Sequence, residues 1–204
     1  MLNKLVLMSA VTLQMAAQDV AGRYAVEGIR EMVSELNLKT DGTFEYAMIY
    51  GAADYHARGA WRKDAGFVTL TTAGPAPEPF RMLSSRANPE GDMRVRVMGL
   101  NGRGVANIDV MLIVADGEKR ARTDSQGIAM FAPVAAGAVR FGVRVYQFES
   151  KPYPVDPKQN DFTFEINGKA ITEVRFENEK LRIDGERLEM GFWNPSRPMT
   201  FRKH

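Results

Sequence analysis

The sequence predicts an all-β chain built of two modules. Three observations carry this reading. Apolar residues recur with period 2 in short runs, and no stretch of the first module sustains the 3.6-residue period of a helix. Asp-Gly and Asn-Gly pairs, whose glycine tolerates the positive φ of a tight turn, sit between those runs. A Pro-rich segment, Thr72 to Asp92, divides the chain near its middle.

The N-terminus comes first. Met1–Ala17, MLNKLVLMSAVTLQMAA, places Lys4 before an apolar run that is too short to span a bilayer. Ala16 and Ala17 follow as small residues. This pattern predicts a signal peptide, 1–17, although Met15 departs from the A-x-A cleavage pattern. The alternative is a buried first strand or helix. Export implies a periplasmic or secreted protein. No later stretch approaches 18 consecutive apolar residues, so no transmembrane segment is expected.

The first module, residues 18–90, reads as a meander. Gly22 to Glu27 and Ser34 to Lys39 form strands, and Asp41-Gly42 turns into a strand from Thr43 to Tyr50. Phe44, Tyr46, Met48 and Tyr50 share one face of that strand. Gly51 bends the chain, His56 to Arg62 returns, Asp64-Ala65-Gly66 turns, and Phe67 to Thr72 closes the meander. The Pro-rich linker holds at most one strand, Phe80 to Leu83.

The second module, residues 92–177, reads as seven short strands. Met93, Val95 and Val97 alternate with Arg94 and Arg96, and Asn101-Gly102 turns. Ile108 to Val114 alternates, a polar strand spans Lys119 to Thr123, and Asp124-Ser125-Gln126-Gly127 turns into Ile128 to Phe131. Val139, Phe141, Val143 and Val145 alternate with Arg140 and Arg144. Phe162, Phe164 and Ile166 come next, then Asn167-Gly168, then Thr172, Val174 and Phe176. Such spacing suggests a β-sandwich. In the tail, Leu181 to Met190 forms a hairpin around Asp184-Gly185, and Trp193-Asn194-Pro195-Ser196 turns into Met199 to Phe201. The first module alone leaves an open edge, so Lys180 to Lys203 is expected to return and close it. The sandwich would then be an insertion. The alternative is that the tail extends the sandwich.

Two resemblances follow from these residues. The run Asn101-Gly102-Arg103-Gly104-Val105-Ala106-Asn107-Ile108-Asp109-Val110 and the run Arg122-Thr123-Asp124-Ser125-Gln126-Gly127-Ile128-Ala129-Met130-Phe131 resemble the carboxypeptidase regulatory-like (transthyretin-like) β-sandwich. That resemblance implies a non-catalytic module of exported proteins, and it informs fold more than activity. Ser34 to Leu38, Asp41-Gly42-Thr43-Phe44, Tyr50-Gly51, Gly59-Ala60-Trp61 and Val68-Thr69-Leu70 are similar to small lipocalin-like barrels of bacterial envelope proteins. Some such barrels carry cysteines used in copper or redox sensing. This chain has no cysteine, so that role does not carry over.

Composition narrows the chemistry. Hydrophobic residues make up 45% of the chain, enough for a packed core and too many for disorder. A net charge of +2 supplies no long-range field for nucleic acid. The absence of cysteine excludes disulfides, thiolate metal sites, a cysteine nucleophile and a lipid-anchoring cysteine. The 12 methionines are scattered at alternating positions, which reads as core filling rather than a thioether copper site. No G-x-G-x-x-G, Walker or G-x-S-x-G motif occurs, and no cofactor is implied.

The leading expectation is a non-enzymatic binding or scaffold protein of the envelope. Its barrel residues Tyr24, Phe44, Tyr46, Tyr50 and Trp61 would line a site for a small apolar or amphipathic ligand, or simply fill the core. Arg94, Arg96, Arg140 and Arg144 would form a basic patch for an anionic protein partner if their strands are neighbours. The alternatives are a hydrolase built around Asp54 and His56, which share a strand face, and a purely structural interaction module.

Overall fold

A computed structural model describes residues 20–204, so the expected signal peptide lies outside the described residues. Among the described residues, the chain is all-β apart from one short helix and one 3-10 turn. It divides into two units: the first runs to Ala76 and resumes at Glu173, and the second is Pro77–Thr172.

The first unit is a closed barrel of eight strands. Five come from its first segment: β1 (Gly22–Val26), β2 (Met32–Leu38), β3 (Thr43–Tyr50), β4 (Ala53–Asp64) and β5 (Phe67–Thr72). Three come from its second: β15 (Glu177–Asp184), β16 (Arg187–Met190) and β17 (Met199–Lys203). The order around the barrel is β1-β17-β16-β15-β5-β4-β3-β2. β15 pairs antiparallel with β5, and β17 with β1, so both edges of the first five strands are covered.

Local chemistry explains the turns. Gly42 takes φ 82°, and the Asp41 carboxylate accepts the Thr43 N–H at 2.8 Å and its hydroxyl at 2.6 Å. Gly59 serves a different purpose, because a Cβ there would collide with the backbone of Thr71 and Thr72. It lets β5 approach β4 closely.

Alternate residues of every barrel strand point inward. Leu36, Leu38, Phe44, Val68, Leu70, Phe176, Leu181, Leu188, Met190 and Phe201 are each at most 1% exposed. Burial of each large side chain contributes roughly 1.5–3 kcal/mol. Thr72 and Phe176 join the two parts of the unit by hydrogen bonds. The Thr72 N–H donates to the Phe176 carbonyl at 2.9 Å, and the Phe176 N–H donates to the Thr72 hydroxyl at 2.9 Å.

The second unit has two sheets whose apolar faces share one core. Its strands are β6 (Phe80–Arg86), β7 (Met93–Gly99), β8 (Asp109–Val114), β9 (Gly117–Arg122), β10 (Ile128–Phe131), β11 (Ala136–Val143), β12 (Phe148–Glu149), β13 (Tyr153–Pro154) and β14 (Asp161–Ile166). One sheet has the order β10-β7-β14-β6, and the other β12-β11-β8-β9 with β13 also on β11. Phe80 and Phe141 stack at 4.2 Å between the two faces, and Phe164 meets Phe141 edge-on at 4.8 Å.

Two expectations are corrected and one is extended. The strand expected at Phe80 to Leu83 within the Pro-rich segment is present and runs on to Arg86, pairing with β14 in the second unit. Thr172, Val174 and Phe176 form no sandwich strand: Gly168–Thr172 is a helix, α1, and Val174 and Phe176 pack in the barrel core. β11 ends at Val143, and Val145 lies in a 3-10 turn, Arg144–Tyr146, at 47% exposure. The unit thus has nine strands among the described residues, two of them only two residues long, instead of seven.

Candidate functional site

Within the barrel, depth separates the aromatic residues singled out by sequence. Tyr24 is buried on β1 and donates its hydroxyl to the Val20 carbonyl at 2.7 Å. Trp61 is buried on β4, and its indole N–H donates to the Lys39 carbonyl at 2.8 Å, beside the β2–β3 turn. Phe44 packs into the core 5.9 Å from Phe176. Tyr50 departs from the expectation. It shares the face of Phe44 and Tyr46 in pattern, but as the last residue of β3 it stands at the barrel rim, 54% exposed.

Tyr46 sits at the centre of a cluster near one end of the barrel. Its ring meets Phe176 edge-on at 5.3 Å, and its hydroxyl donates to the Met48 sulfur at 3.4 Å. The Trp193 indole N–H donates to the same hydroxyl oxygen at 3.0 Å. Burial pushes the Tyr46 hydroxyl pKa above its ordinary value, and hydrogen bonds with Ser34 and Trp193 oppose the shift only partly. Ser34, also buried, donates to the Ala47 carbonyl at 3.1 Å.

Trp193 belongs to the segment 191–198 between β16 and β17. Going round the barrel, β16 and β3 are four strands apart among eight, on opposite sides. The Trp193–Tyr46 bond therefore reaches across the barrel end. Trp193 also lies 5.1 Å from Tyr55 on β4, and Phe192 meets Phe176 edge-on at 5.0 Å. Both rings of the segment remain 38% exposed. Below them Glu179, on the inward face of β15, accepts the backbone N–H of Phe192. Burial raises the Glu179 pKa, and that hydrogen bond only moderates the rise.

The four arginines singled out by sequence do not make one stripe, because β7 and β11 belong to different sheets. Arg94, on β7, pairs with Glu90 at 3.3 Å and Asp161 at 3.9 Å, and Arg96 lies two residues along the same strand. Arg140 on β11 reaches Glu118 at 2.7 Å and Glu149 at 3.5 Å. Arg144 reaches Asp109 at 2.6 Å, where Arg122 also binds at 2.9 Å. Gly142 lies opposite Asp109 in the β11–β8 register. Burial pushes the Asp109 carboxyl up, but hydrogen bonds from Arg144 and Arg122 prevail and hold it below its ordinary range. An open cleft of about 460 Å³ lies over this face, lined by Met111, Ala121 and Phe148 as well as the charged groups.

Asp54 and His56 both fall on the outward-facing parity of β4, opposite to the inward Ala53, Ala57 and Trp61. The His56 backbone bridges to Glu173. Among the described residues, no group of three or more His, Cys, Asp or Glu is placed to hold a metal ion. No helix among them is long and apolar enough to cross a membrane.

Trp193, Phe176 and Glu179 escaped the sequence reading. The sequence places Trp193 in a turn and Phe176 in the last expected sandwich strand, and Glu179 falls between that strand and the tail hairpin. The geometry defines an all-β chain with a closed eight-stranded barrel whose end is spanned by aromatic side chains. Comparison with protein-family models, curated proteins and solved structures returns no match.

Proposed function

We propose that this chain is a non-enzymatic binding or scaffold protein exported to the bacterial periplasm or beyond. In this reading a lipocalin-like barrel carries an inserted transthyretin-like sandwich, and the barrel end spanned by Trp193 is the ligand seat. One observation carries the reading. The barrel interior is packed with aliphatic and aromatic side chains, whereas amphipathic groups (Tyr46, Tyr55, Trp193 and Glu179) gather at one end beside half-exposed rings. A packed floor with a few convergent polar groups suits a small apolar or amphipathic ligand held at the mouth. The ligand would not run through the lumen.

The test is native mass spectrometry of the chain expressed with its own N-terminus and purified from the periplasm. The expected result is a mass lacking Met1–Ala17, with an additional bound mass. A bare mature mass removes the ligand seat, and an uncleaved chain in the cytoplasm removes export. A second reading, docking of an anionic envelope protein, is favoured by the arginine-rimmed cleft over β8, β9 and β11. It predicts that a captured partner is lost on R122A/R144A.

A further inference from the structure

We infer that the segment 191–198 is a removable plug, and that the space under it takes a flat aromatic molecule carrying an N–H or O–H donor in place of Trp193. This rests on the binding reading above and names the ligand class of that same site.

The first argument is from occupancy. Trp193 leaves one side of the barrel and meets residues of the opposite side, Tyr46 on β3 and Tyr55 on β4. Phe192, its neighbour, lies 5.3 Å from it and covers Phe176. These two rings fill the barrel mouth much as a bound ligand would, and each keeps 38% of its surface in solvent. They do not belong to the buried barrel core formed by Phe44, Tyr46, Phe176 and Phe201.

The second argument is from attachment. From Asn194 to Arg197 the backbone of the segment bonds within the segment. The Asn194 side chain accepts the N–H groups of Ser196 at 3.1 Å and Arg197 at 3.2 Å, and the Asn194 carbonyl accepts the Arg197 N–H at 3.1 Å. A turn closed on itself keeps its own bonds when it swings away. The ties to the barrel are side-chain contacts: the indole bond to Tyr46, the ring contacts to Tyr55 and Phe176, and the Glu179 carboxyl on the Phe192 N–H. Gly191 stands where the segment leaves β16.

The third argument is chemical. The buried Tyr46 hydroxyl donates to Met48 and accepts from Trp193. If the indole left, the hydroxyl oxygen would lose that donor and keep its contacts with Ser34 and Met48. A molecule that replaces Trp193 and brings its own donor restores the lost bond, and a flat ring takes the place of the indole against Tyr55.

The plug lowers apparent affinity by the fraction of time it is closed. One hydrogen bond and two aromatic contacts predict at least a tenfold effect. The experiment measures binding of indole and of 1-methylindole, by calorimetry and by NMR, to the full chain and to its F192S/W193S variant. The expected result is weak indole binding to the unmodified chain with displacement of the Trp193 indole N–H resonance. In the variant, indole binds at least about tenfold more tightly and several-fold better than 1-methylindole. Adding Y46F abolishes that preference. Equal indole affinity with and without the plug, or no binding to either, overturns the inference. If the double variant loses its near-ultraviolet circular dichroism, W193F keeps the ring and removes the donor. An unchanged indole affinity there also overturns it. A ligand found on the native protein together with plug-independent indole binding would sink the plug and leave the binding reading standing. Plug-dependent indole binding on a protein that leaves the cell bare would do the reverse.

Discussion

Removing the second unit is the sharpest perturbation that the topology offers. The barrel needs β1 to β5 and β15 to β17, and residues 77–172 contribute none of these strands. The two chain ends that the excision would join are already held together. Beyond the Thr72–Phe176 bonds, Arg175 donates to the carbonyls of Ala73, at 3.1 Å, and Gly74. A linker of about four Gly and Ser residues between Gly74 and Glu173 should therefore bridge them without strain. In the unfolded chain, closing a loop of on the order of a hundred residues costs about (3/2)RT ln n, so shortening it to a few removes up to about 3 kcal/mol from the cost of folding the barrel. The barrel's core cluster includes no residue between 77 and 172. The shortened chain is expected to fold, keep the near-ultraviolet signal of buried Trp61 and Tyr46, and melt no lower than the barrel transition of the full chain. A shortened chain that is unfolded or aggregates would refute the reasoning, because it would mean that the barrel depends on the second unit for more than covalent continuity.

Other perturbations should sort by unit. Phe201 is fully buried in the barrel, so F201A is expected to cost about 3–5 kcal/mol and to lower the barrel transition alone in urea unfolding. Gly127 takes φ 77°, and a Cβ there would meet the backbone of Val97 and Val105, so G127A should destabilise the second unit by about 2–5 kcal/mol. G66A, at φ 89° with open space around it, should cost only about 1–2 kcal/mol. Asp109 has a lowered folded pKa, so its contribution is present above its ordinary value of 3.8 and is lost as pH falls through the folded value. The stability gap between the unmodified chain and D109N, read from urea midpoints, should narrow on acidification below pH 4. Glu179 has the opposite sign: its raised pKa means that ionisation costs stability as pH rises from its ordinary 4.5 through the folded value. E179Q should match the unmodified chain below pH 4.5 and be at least as stable at pH 8.

What sequence could deliver here is parity, and what it lacked was address. Period-2 alternation assigns a residue to a strand face, and turn residues such as Asp41-Gly42 and Asp124 to Gly127 mark where strands end, which is enough to read an all-β chain. Alternation does not say which core a face meets. Val174 and Phe176 alternate as a last sandwich strand would, yet they lie in the barrel, where the Thr72 backbone holds Phe176. Parity also ignores depth. Tyr46 and Tyr50 share a face, but one lies 2% exposed under Trp193 and the other at the rim. The arginines fail for a related reason: β7 and β11 each alternate correctly, but they sit in different sheets, and the contact that organises Arg144 comes from Asp109 on β8. The candidate site follows the same rule. Trp193 meets Tyr46 across 147 positions of chain, and only the barrel's closure makes those two residues neighbours. A site assembled by closure leaves no local spacing to find, so the mouth of this barrel had to be read from its strand order.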